Sequence, residues 1–226
     1  MKLQSAGESA IIAYLSETSS PEVSAQVQAL GKALRPEMGT TLIDLTPSYA
    51  SLLISFDPLQ TDHFQVGELT RACFADLDAQ TLSSGRLIEI PVFYHPDAGE
   101  DLLDLGQAKG LAWEKIVAIH SEQEYRVYAI GFAPGFAYLG DVDERIAAPR
   151  RKTPRQRVPR GAVAIADRQT AVYPAESPGG WNLIGRSPLK MFDPGAPEPM
   201  PVVVGDRVRF RPMKREDFLN AGGTLR

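Results

Sequence analysis

The distribution of proline most constrains what this chain can fold into. Ten of its eighteen prolines fall between Pro149 and Pro201. Because proline fixes φ and cannot donate a backbone hydrogen bond, a long helix or a central strand cannot run through this stretch. Short β segments fill the remaining space from residue 124 onward: EYRVYAI, GAVAIA, QTAVYP, WNLIG and DRVRF. Strands of this length, separated by Pro/Gly turns, predict a closed β-barrel or a sandwich.

The first 94 residues follow a different pattern. Four apolar segments read as strands: 10–15, 41–45, 51–56 and 86–94. A helix between the first two begins at Ser19 to Glu22, which have capping-box spacing, and ends before Pro36. Thr61 or Asp62 caps a second helix. The order β-α-β-β-α-β predicts a ferredoxin-like fold.

These two patterns predict two domains in an α+β chain. We place a small α+β domain at residues 1–88 and a mainly-β domain at residues 89–226. Three short helices, at 100–108, 112–119 and from Lys214, are expected in the second domain.

Composition limits where the protein works. No window approaches the ~20 consecutive apolar residues of a membrane span, and no signal peptide is evident. Cys73 is the one cysteine, so no internal disulfide can form. We therefore expect a cytoplasmic protein in a reducing compartment, with no membrane association.

Charge is concentrated in one segment. Seven basic residues and no acidic residue lie between Arg145 and Arg160, although the net charge of the chain is −4. A nucleic-acid-binding protein would be basic overall. A local basic segment on an acidic chain indicates a small anionic ligand or an acidic partner surface, and we expect no nucleic acid.

The stretch GFAPGFAYLG, residues 131–140, combines rigid rings with flexible glycines. This composition is typical of a loop with a defined conformation that presents its rings to a ligand or to another chain. We expect Phe132, Phe136 and Tyr138 to line the mouth or the interior of the barrel. The glycines would let the loop approach a ligand or a neighbouring subunit closely.

The segment Ser177-Pro178-Gly179-Gly180-Trp181, which we predict to form a turn, likewise combines proline and glycine with an aromatic ring. Its glycines leave backbone N–H groups accessible to an oxyanion, although a plain tight turn with a core tryptophan is the simpler interpretation. Neither a Walker loop nor a Rossmann glycine motif occurs, so any ATP contact needs an unusual or a shared site. Asp141 and Asp143 have no third ligand nearby, and we expect no metal site.

Two dense blocks carry a resemblance to a known family. Residues 120–140 read His-x₄-Tyr-x-Val and then Gly-Phe-x-Pro-Gly-Phe-x-Tyr-Leu-Gly. Residues 149–193 contain Pro-Arg, Thr-Pro-Arg-x-x-Val-Pro, Gly-x-Val-x-Ile-Ala, Gln-Thr-x-x-Tyr-Pro and Ser-Pro-Gly-Gly-Trp-x-x-Ile-Gly-Arg. The chain resembles the allophanate hydrolase subunit 1 family, which includes the B component of bacterial ATP-dependent 5-oxoprolinase and a sporulation sensor-kinase inhibitor. The resemblance implies a cyclophilin-like barrel after a small α+β domain.

The motifs supply the candidate site residues. His120 and Arg155 are the candidates for catalysis; His120 would orient water or shuttle a proton, or would simply bond a helix carbonyl. The candidates for substrate or nucleotide binding are Phe132, Phe136, Tyr138, Arg150, Arg157, Gln169, Gly179, Gly180 and Trp181. The arginines stand among prolines, so their stiff backbones suit capture of phosphate or carboxylate, or docking of an acidic subunit.

The resemblance implies a hydrolase subunit that is active only in a heteromer. The expected enzyme opens the lactam 5-oxoproline to L-glutamate and hydrolyses ATP, with the A and C components as partners, the latter similar to allophanate hydrolase subunit 2. ATP would bind at a site shared with a partner, and no intrinsic metal or biotin is expected. The alternatives are an inhibitor of a sensor histidine kinase and a subunit of urea or allophanate metabolism related to urea carboxylase. The implied barrel is also similar to cyclophilin, but we expect no proline isomerase activity, because fold is poor evidence for function.

Overall fold

The computed structural model describes residues 1–77 and 85–225. It divides into two compact units, Met1–Ser84 and Gly85–Arg226, and each has its own core. None of the helices in these ranges is both long enough and apolar enough to cross a membrane.

The first unit packs two helices against one antiparallel sheet. Its elements are β1 (Lys2–Ser5), β2 (Ala10–Tyr14), α1 (Pro21–Met38), β3 (Leu42–Pro47), β4 (Ser51–Phe56) and α2 (His63–Ala75). The strands lie in the order β1-β2-β4-β3. Apolar side chains of α1, among them Val27, Leu30 and Leu34, pack with Leu52 and Ile54 of β4. This burial fixes the helix on the sheet.

The two helix starts follow ordinary capping chemistry. The Ser20 hydroxyl, rather than that of Ser19, accepts a hydrogen bond from the Val23 backbone N–H at 3.2 Å. The predicted capping box is therefore wrong, because the residue three positions after this cap is Val23 and not Glu22. Helix α1 also continues through Pro36, because buried Leu34 and Met38 hold its last turns on the core. Asp62 caps α2, as predicted.

The ferredoxin-like order predicted for residues 1–88 differs from the observed one. The segment read as its last strand is β5 (Leu87–Val92), which belongs to the second unit and pairs in parallel with a strand near the C-terminus. An unpredicted strand, β1, occupies the edge of the first sheet instead. The sequence pattern identifies a strand but does not identify its partner, which is why β5 was assigned to the wrong sheet.

The second unit contains a seven-stranded sheet with three helices. Its elements are β5, α3 (Leu102–Lys109), α4 (Trp113–Glu122), β6 (Glu124–Ile130), β7 (Ala137–Gly140), β8 (Arg155–Val158), β9 (Ala162–Ala166), β10 (Gln169–Val172), β11 (Ser177–Gly179), β12 (Asn182–Arg186), β13 (Arg207–Pro212) and α5 (Arg215–Asn220). The sheet order is β12-β9-β10-β7-β6-β13-β5, and β8 and β11 form a separate ribbon.

The seven-stranded sheet closes nearly into a barrel. Phe93, just after β5, and Arg186, at the end of β12, exchange backbone hydrogen bonds of 2.8 and 3.0 Å. The first and last strands of the sheet are thereby joined, which removes open edges. The barrel predicted from the turn pattern is confirmed, and the closed sheet is consistent with a cyclophilin-like barrel.

Candidate functional site

Two segments rich in proline and glycine are fastened to each other on the second unit. The Arg151 backbone N–H donates to the Gly180 carbonyl at 2.7 Å, and β8 pairs with β11 in antiparallel register. The Asn182 side chain donates to the Pro149 carbonyl at 2.9 Å. The basic segment, residues 149–160, therefore runs alongside residues 177–181. These were predicted as a tight turn, but Ser177–Gly179 form strand β11 instead.

The outer face of the barrel sheet carries two rings from this region, Phe136 just before β7 and Tyr138 within it. Ala137 and Leu139 pack into the barrel core, whereas Phe136 and Tyr138 belong to a separate cluster on the opposite face. The expectation that these rings line the interior of the barrel is therefore wrong, whereas a position at its mouth stays a prediction. Alternation along the strand turns them outward, and the prediction had no register to work from.

Small side chains form the floor of this outer cluster. The floor residues of β9 and β10 are alanines: Ala162, Ala164, Ala166 and Ala171. Alanine lets large rings lie close to the backbone of the sheet, so the cluster is packed like a second small core. Sequence reasoning treated GAVAIA only as a strand and did not assign its two faces.

Phe136 is the centre of the cluster. Its ring centroid lies 4.9 Å from that of Tyr138, 5.2 Å from that of Tyr173 and 5.6 Å from that of Trp181, all at steep interplanar angles. Edge-to-face contacts at these distances stabilise an aromatic cluster beyond simple burial. Phe136 and Trp181 are buried, so their direct contribution is to the shape of the surface above them.

Phe132 and Arg150 form the exposed part of this region. The Phe132 side chain is 65% exposed, and its ring meets that of Phe136 at 5.3 Å. The Arg150 guanidinium lies 5.9 Å from the centre of the Trp181 ring, within the range of a cation–π contact. A ring and a cation are thus presented together to solvent, beside the basic segment.

The loop before β7 has a constrained backbone. Gly135 has φ +81°, and a Cβ atom at this position would lie 2.3 Å from the Met191 carbonyl oxygen, so only glycine fits. Phe132 also has a positive φ, of 69°, which costs a non-glycine residue about 1 kcal/mol or more. The loop holds an exposed ring in a backbone conformation that few residues adopt.

Gly179 has a structural reason to be glycine, whereas a Cβ atom on Gly180 would make only ordinary contacts, the nearest at 3.6 Å from Pro154. A Cβ atom on Gly179 would lie 2.3 Å from the Tyr173 hydroxyl oxygen, so the close approach of this ring excludes any side chain. Gly180 supplies the carbonyl that accepts from Arg151. A role for their N–H groups toward an oxyanion stays a prediction.

Gln169 lies on the edge of the same sheet face. It begins β10, opposite Gly140 of β7 and Ala166 of β9, and it is half-buried. Two residues further along the strand, Ala171 belongs to the floor of the aromatic cluster. Alternation therefore puts the Gln169 side chain on the outer face, at the end of the cluster.

The predicted arginines differ in how firmly they are held. Arg157 is 75% exposed, with Glu176 at 3.9 Å. Arg155 is only 17% exposed; its Nε donates to Glu100 at 3.1 Å and its Nη2 donates to Asp101 at 2.8 Å. Arg155 is therefore fixed by two carboxylates, whereas Arg157 is accessible to a ligand or a partner chain.

His120 lies in the barrel core, away from the arginines. Its Nδ1 is 2.7 Å from the Tyr94 hydroxyl and its Nε2 is 2.9 Å from the Thr170 hydroxyl. Since Thr170 donates its own proton to the Ala164 carbonyl, Nε2 carries the ring proton and Nδ1 accepts from Tyr94. The Phe210 ring stacks on the imidazole at 4.6 Å.

Burial keeps this imidazole neutral. Desolvation lowers the pKa of His120 from 6.5 to about 3, because the charged form would lie in the apolar core. Both ring nitrogens are hydrogen-bonded to side chains, rather than to the helix carbonyl that the sequence suggested. In this arrangement neither nitrogen faces solvent, and the histidine acts as a link between β10, α4 and the segment after β5.

A charged cleft lies on another part of the second unit. Its volume is about 670 Å³, and its walls include Glu122, Asp143, Arg145 and Arg168. Arg145 donates to both oxygens of Asp143, which lowers the pKa of this carboxyl to about 2. The predicted site residues do not line this cleft. Among residues 1–77 and 85–225, no group of three or more His, Cys, Asp or Glu side chains could hold a metal ion.

Comparisons with known proteins decide the family. Residues 1–202 match the family model for the carboxyltransferase domain, subdomain C and D. The B component of 5-oxoprolinase from Bacillus subtilis (strain 168) is 33% identical over 96% of this chain and 95% of its own length. That of Haemophilus influenzae is 36% identical over 93% of this chain and 97% of its own length. The chain belongs to the family of 5-oxoprolinase B components.

A solved relative shows that the family occurs within longer proteins. The crystal structure of TTHA0988 superposes with a TM-score of 0.82, at 37% identity and over 92% of this chain. This chain spans only 40% of the length of that protein. The family resemblance predicted from the motifs is thus confirmed, and the names of the curated relatives do not favour the kinase-inhibitor or urea-metabolism alternatives.

Sequence reasoning about this family member missed Asp101. It lies within the segment 100–108, which was predicted as a helix without a role for this residue, yet its side chain is buried and bonded to both Arg151 and Arg155. The one available signal was the excess of arginine in residues 149–160. If any of these guanidinium groups is buried, a carboxylate must pair with it.

Proposed function

We propose that this chain is the B component of an ATP-dependent 5-oxoprolinase. The observation that carries the proposal is the junction of the basic segment with residues 177–181, through Arg151 and Gly180. The exposed Phe132 is connected to this junction through the Phe136 ring, which contacts Trp181. The curated relatives, which are named as one subunit of 5-oxoprolinase, support it. Their naming as subunits also supports a complex, in which we place the C and A components.

The proposed site is completed by a partner. Phe132, Arg150 and Arg157 are exposed, so the outer surface holds a ring and cations without enclosing them. Phosphoryl transfer needs exclusion of water and several converging positive groups. A partner chain covering this surface would supply the enclosure, and ATP would bind between the two chains.

The chemistry required is activation of a lactam, which is a poor electrophile. Transfer of the terminal phosphoryl group of ATP to the lactam oxygen releases ADP and gives the ring carbon a good leaving group. Attack of water on that carbon and cleavage of its bond to nitrogen then give an acyl phosphate of glutamate. A second water molecule hydrolyses this acyl phosphate to L-glutamate and inorganic phosphate. The guanidinium groups of this surface would offset charge that develops on the transferring phosphoryl group.

The individual residues take different parts in this proposal. Arg157 and Arg150 are placed to contact an anion or an acidic partner, and Phe132 to pack on the small ring or on the neighbouring chain. Phe136, Tyr138 and Trp181 shape the surface beneath them. His120 supports the fold, because its nitrogens are occupied inside the core.

The test is reconstitution with the A and C components from the same source. We expect 5-oxoproline-dependent release of ADP from the full mixture, and none from this chain alone or from the mixture that lacks it. Arg157→Ala should reduce the rate in the complex without preventing its assembly. Turnover by the isolated chain would contradict the shared site, and an inactive full mixture would contradict the function itself.

A further inference from the structure

We propose that Asp101 is the positioning residue of an oxyanion site in which Arg151 makes the contact. This inference rests on the proposed function, because it identifies which arginine of the basic segment meets the anion. It concerns two residues that neither the motifs nor the family comparison assigned.

Asp101 is built into the barrel. Its side chain is 3% exposed, its Oδ2 accepts from the Leu183 backbone N–H at 2.7 Å, and its own backbone N–H donates to the Leu183 carbonyl at 3.0 Å. Strand β12 therefore fixes both the backbone and the carboxylate. Its other oxygen, Oδ1, faces the basic segment and accepts from Arg151 and Arg155 together.

Arg151 is held at one end only. Its Nη1 bonds to Asp101 and its backbone N–H bonds to Gly180, while its side chain is 36% exposed. Its Nε and Nη2 make no hydrogen bond to any residue in the described part of the chain. A guanidinium anchored through one nitrogen presents its remaining donors in a fixed direction, as bidentate capture of an oxyanion requires.

Arg155, which binds the same carboxylate oxygen of Asp101, offers a second donor to an anion. Its Nη1 is buried and has no hydrogen-bond partner among residues 1–77 and 85–225, although its other nitrogens are bonded to Glu100 and Asp101. A buried donor without an acceptor costs free energy, which a ligand oxygen could recover.

The charge balance around Asp101 favours an anion. The segment from Arg150 to Arg157 carries five positive side chains, and Asp101, Glu100 and Glu176 are the acids that contact them in the described ranges. The surplus is positive even when every one of these contacts is formed. The oxyanion could be a phosphate of ATP or the carboxylate of the lactam substrate. Measuring KM for ATP and KM for 5-oxoproline in each variant shows which of the two anions binds at this site.

Asp206 offers a matched control in the same unit. It too is buried, and it accepts from the Arg86 side chain at 2.9 Å and from the Val203 backbone N–H at 3.0 Å. Asp206→Asn and Asp101→Asn therefore remove the same kind of buried, arginine-bound charge. A purely structural role predicts that both lower the melting temperature and that neither changes substrate affinity selectively.

The experiment compares D101N, R151A, D101N/R151A and D206N in the reconstituted complex. We expect D101N and R151A each to raise KM for one of the two anionic substrates about tenfold, with the double variant no worse than R151A, since Asp101 acts through Arg151. D206N should leave both KM values within about twofold of the unmodified complex, because it removes no group from the anion site.

Three results would overturn the inference. These are an unchanged KM in D101N, an equal rise in D206N, and fully additive effects in the double variant. If the unmodified complex does not turn over, the proposed function fails, and calorimetry with inorganic pyrophosphate and, separately, with 5-oxoproline then decides this inference. Binding that D101N and R151A weaken and D206N preserves would support it; absence of binding, or equal weakening by D206N, would overturn it.

Discussion

The two faces of β10 use their side chains for different purposes. On the barrel face, Thr170 joins His120 in a buried and fully hydrogen-bonded network. On the outer face, Ala171 forms part of a floor for rings that lie beside exposed cations. Both faces carry residues from the same motifs. A family motif therefore contains both core residues and surface residues. The strand register decides which of them maintain the fold and which are placed to contact a ligand.

The largest expected effect concerns the barrel face. His120→Ala removes a buried ring and leaves the hydroxyls of Tyr94 and Thr170 without this partner. We expect a loss of about 3–5 kcal/mol in the free energy of unfolding, measured by urea denaturation. His95→Ala, at a half-buried position near the surface, should cost less, about 1 kcal/mol. Similar losses in the two variants would remove the distinction between core and surface histidine.

The next effect concerns the loop that carries the exposed ring. Gly135→Ala places a methyl group 2.3 Å from the Met191 carbonyl at a positive φ. We expect a loss of at least about 2 kcal/mol in the free energy of unfolding. Gly131→Ala is the control in the same motif, because no described atom outside its chain neighbours lies within 4 Å of where its methyl group would be. If both substitutions were tolerated equally, the loop would not be held as described.

The pH dependence of stability tests the neutral state of His120. Its pKa is 6.5 when unfolded and about 3 when folded, so the unfolded chain binds the extra proton and stability falls as pH decreases from 6.5 toward 3. Between pH 6.5 and 5 this group alone should cost about 1–2 kcal/mol. Comparison with His120→Gln isolates it. The same slope in both proteins would show that another group is responsible.

The smallest effect on stability belongs to the outer surface. Phe132→Ala should change the free energy of unfolding by less than about 0.5 kcal/mol, because the ring is largely exposed. It should nevertheless weaken association with the partner subunits by about tenfold, as for an aromatic anchor at an interface. Titration calorimetry of the variant and the unmodified chain measures this. If Phe132→Ala left the affinity for the partner subunits unchanged, the partner would bind a different surface of the chain.

Much of the architecture could be predicted from local patterns. Proline spacing identified the barrel, and the Asp62 cap placed α2 correctly. The partner of β5 could not be predicted, since an apolar strand does not specify the sheet that it joins. The outward direction of Phe136 and Tyr138 could not be predicted, because it depends on the register of the strand. The role of Asp101 could not be predicted either, because its partner Arg151 lies 50 residues away in the sequence. For long-range contacts of this kind the sequence holds at most an indirect signal, such as the excess of arginine in residues 149–160.

The central claim is that the outer surface forms a working site only when a partner chain covers it. Amide hydrogen exchange, compared between the isolated chain and the reconstituted complex, tests this most directly. We predict that protection increases in residues 131–138, 149–160 and 177–181 and is little changed in β9, which is already buried. Protection confined to other surfaces, with these three segments exchanging as in the isolated chain, would contradict the account.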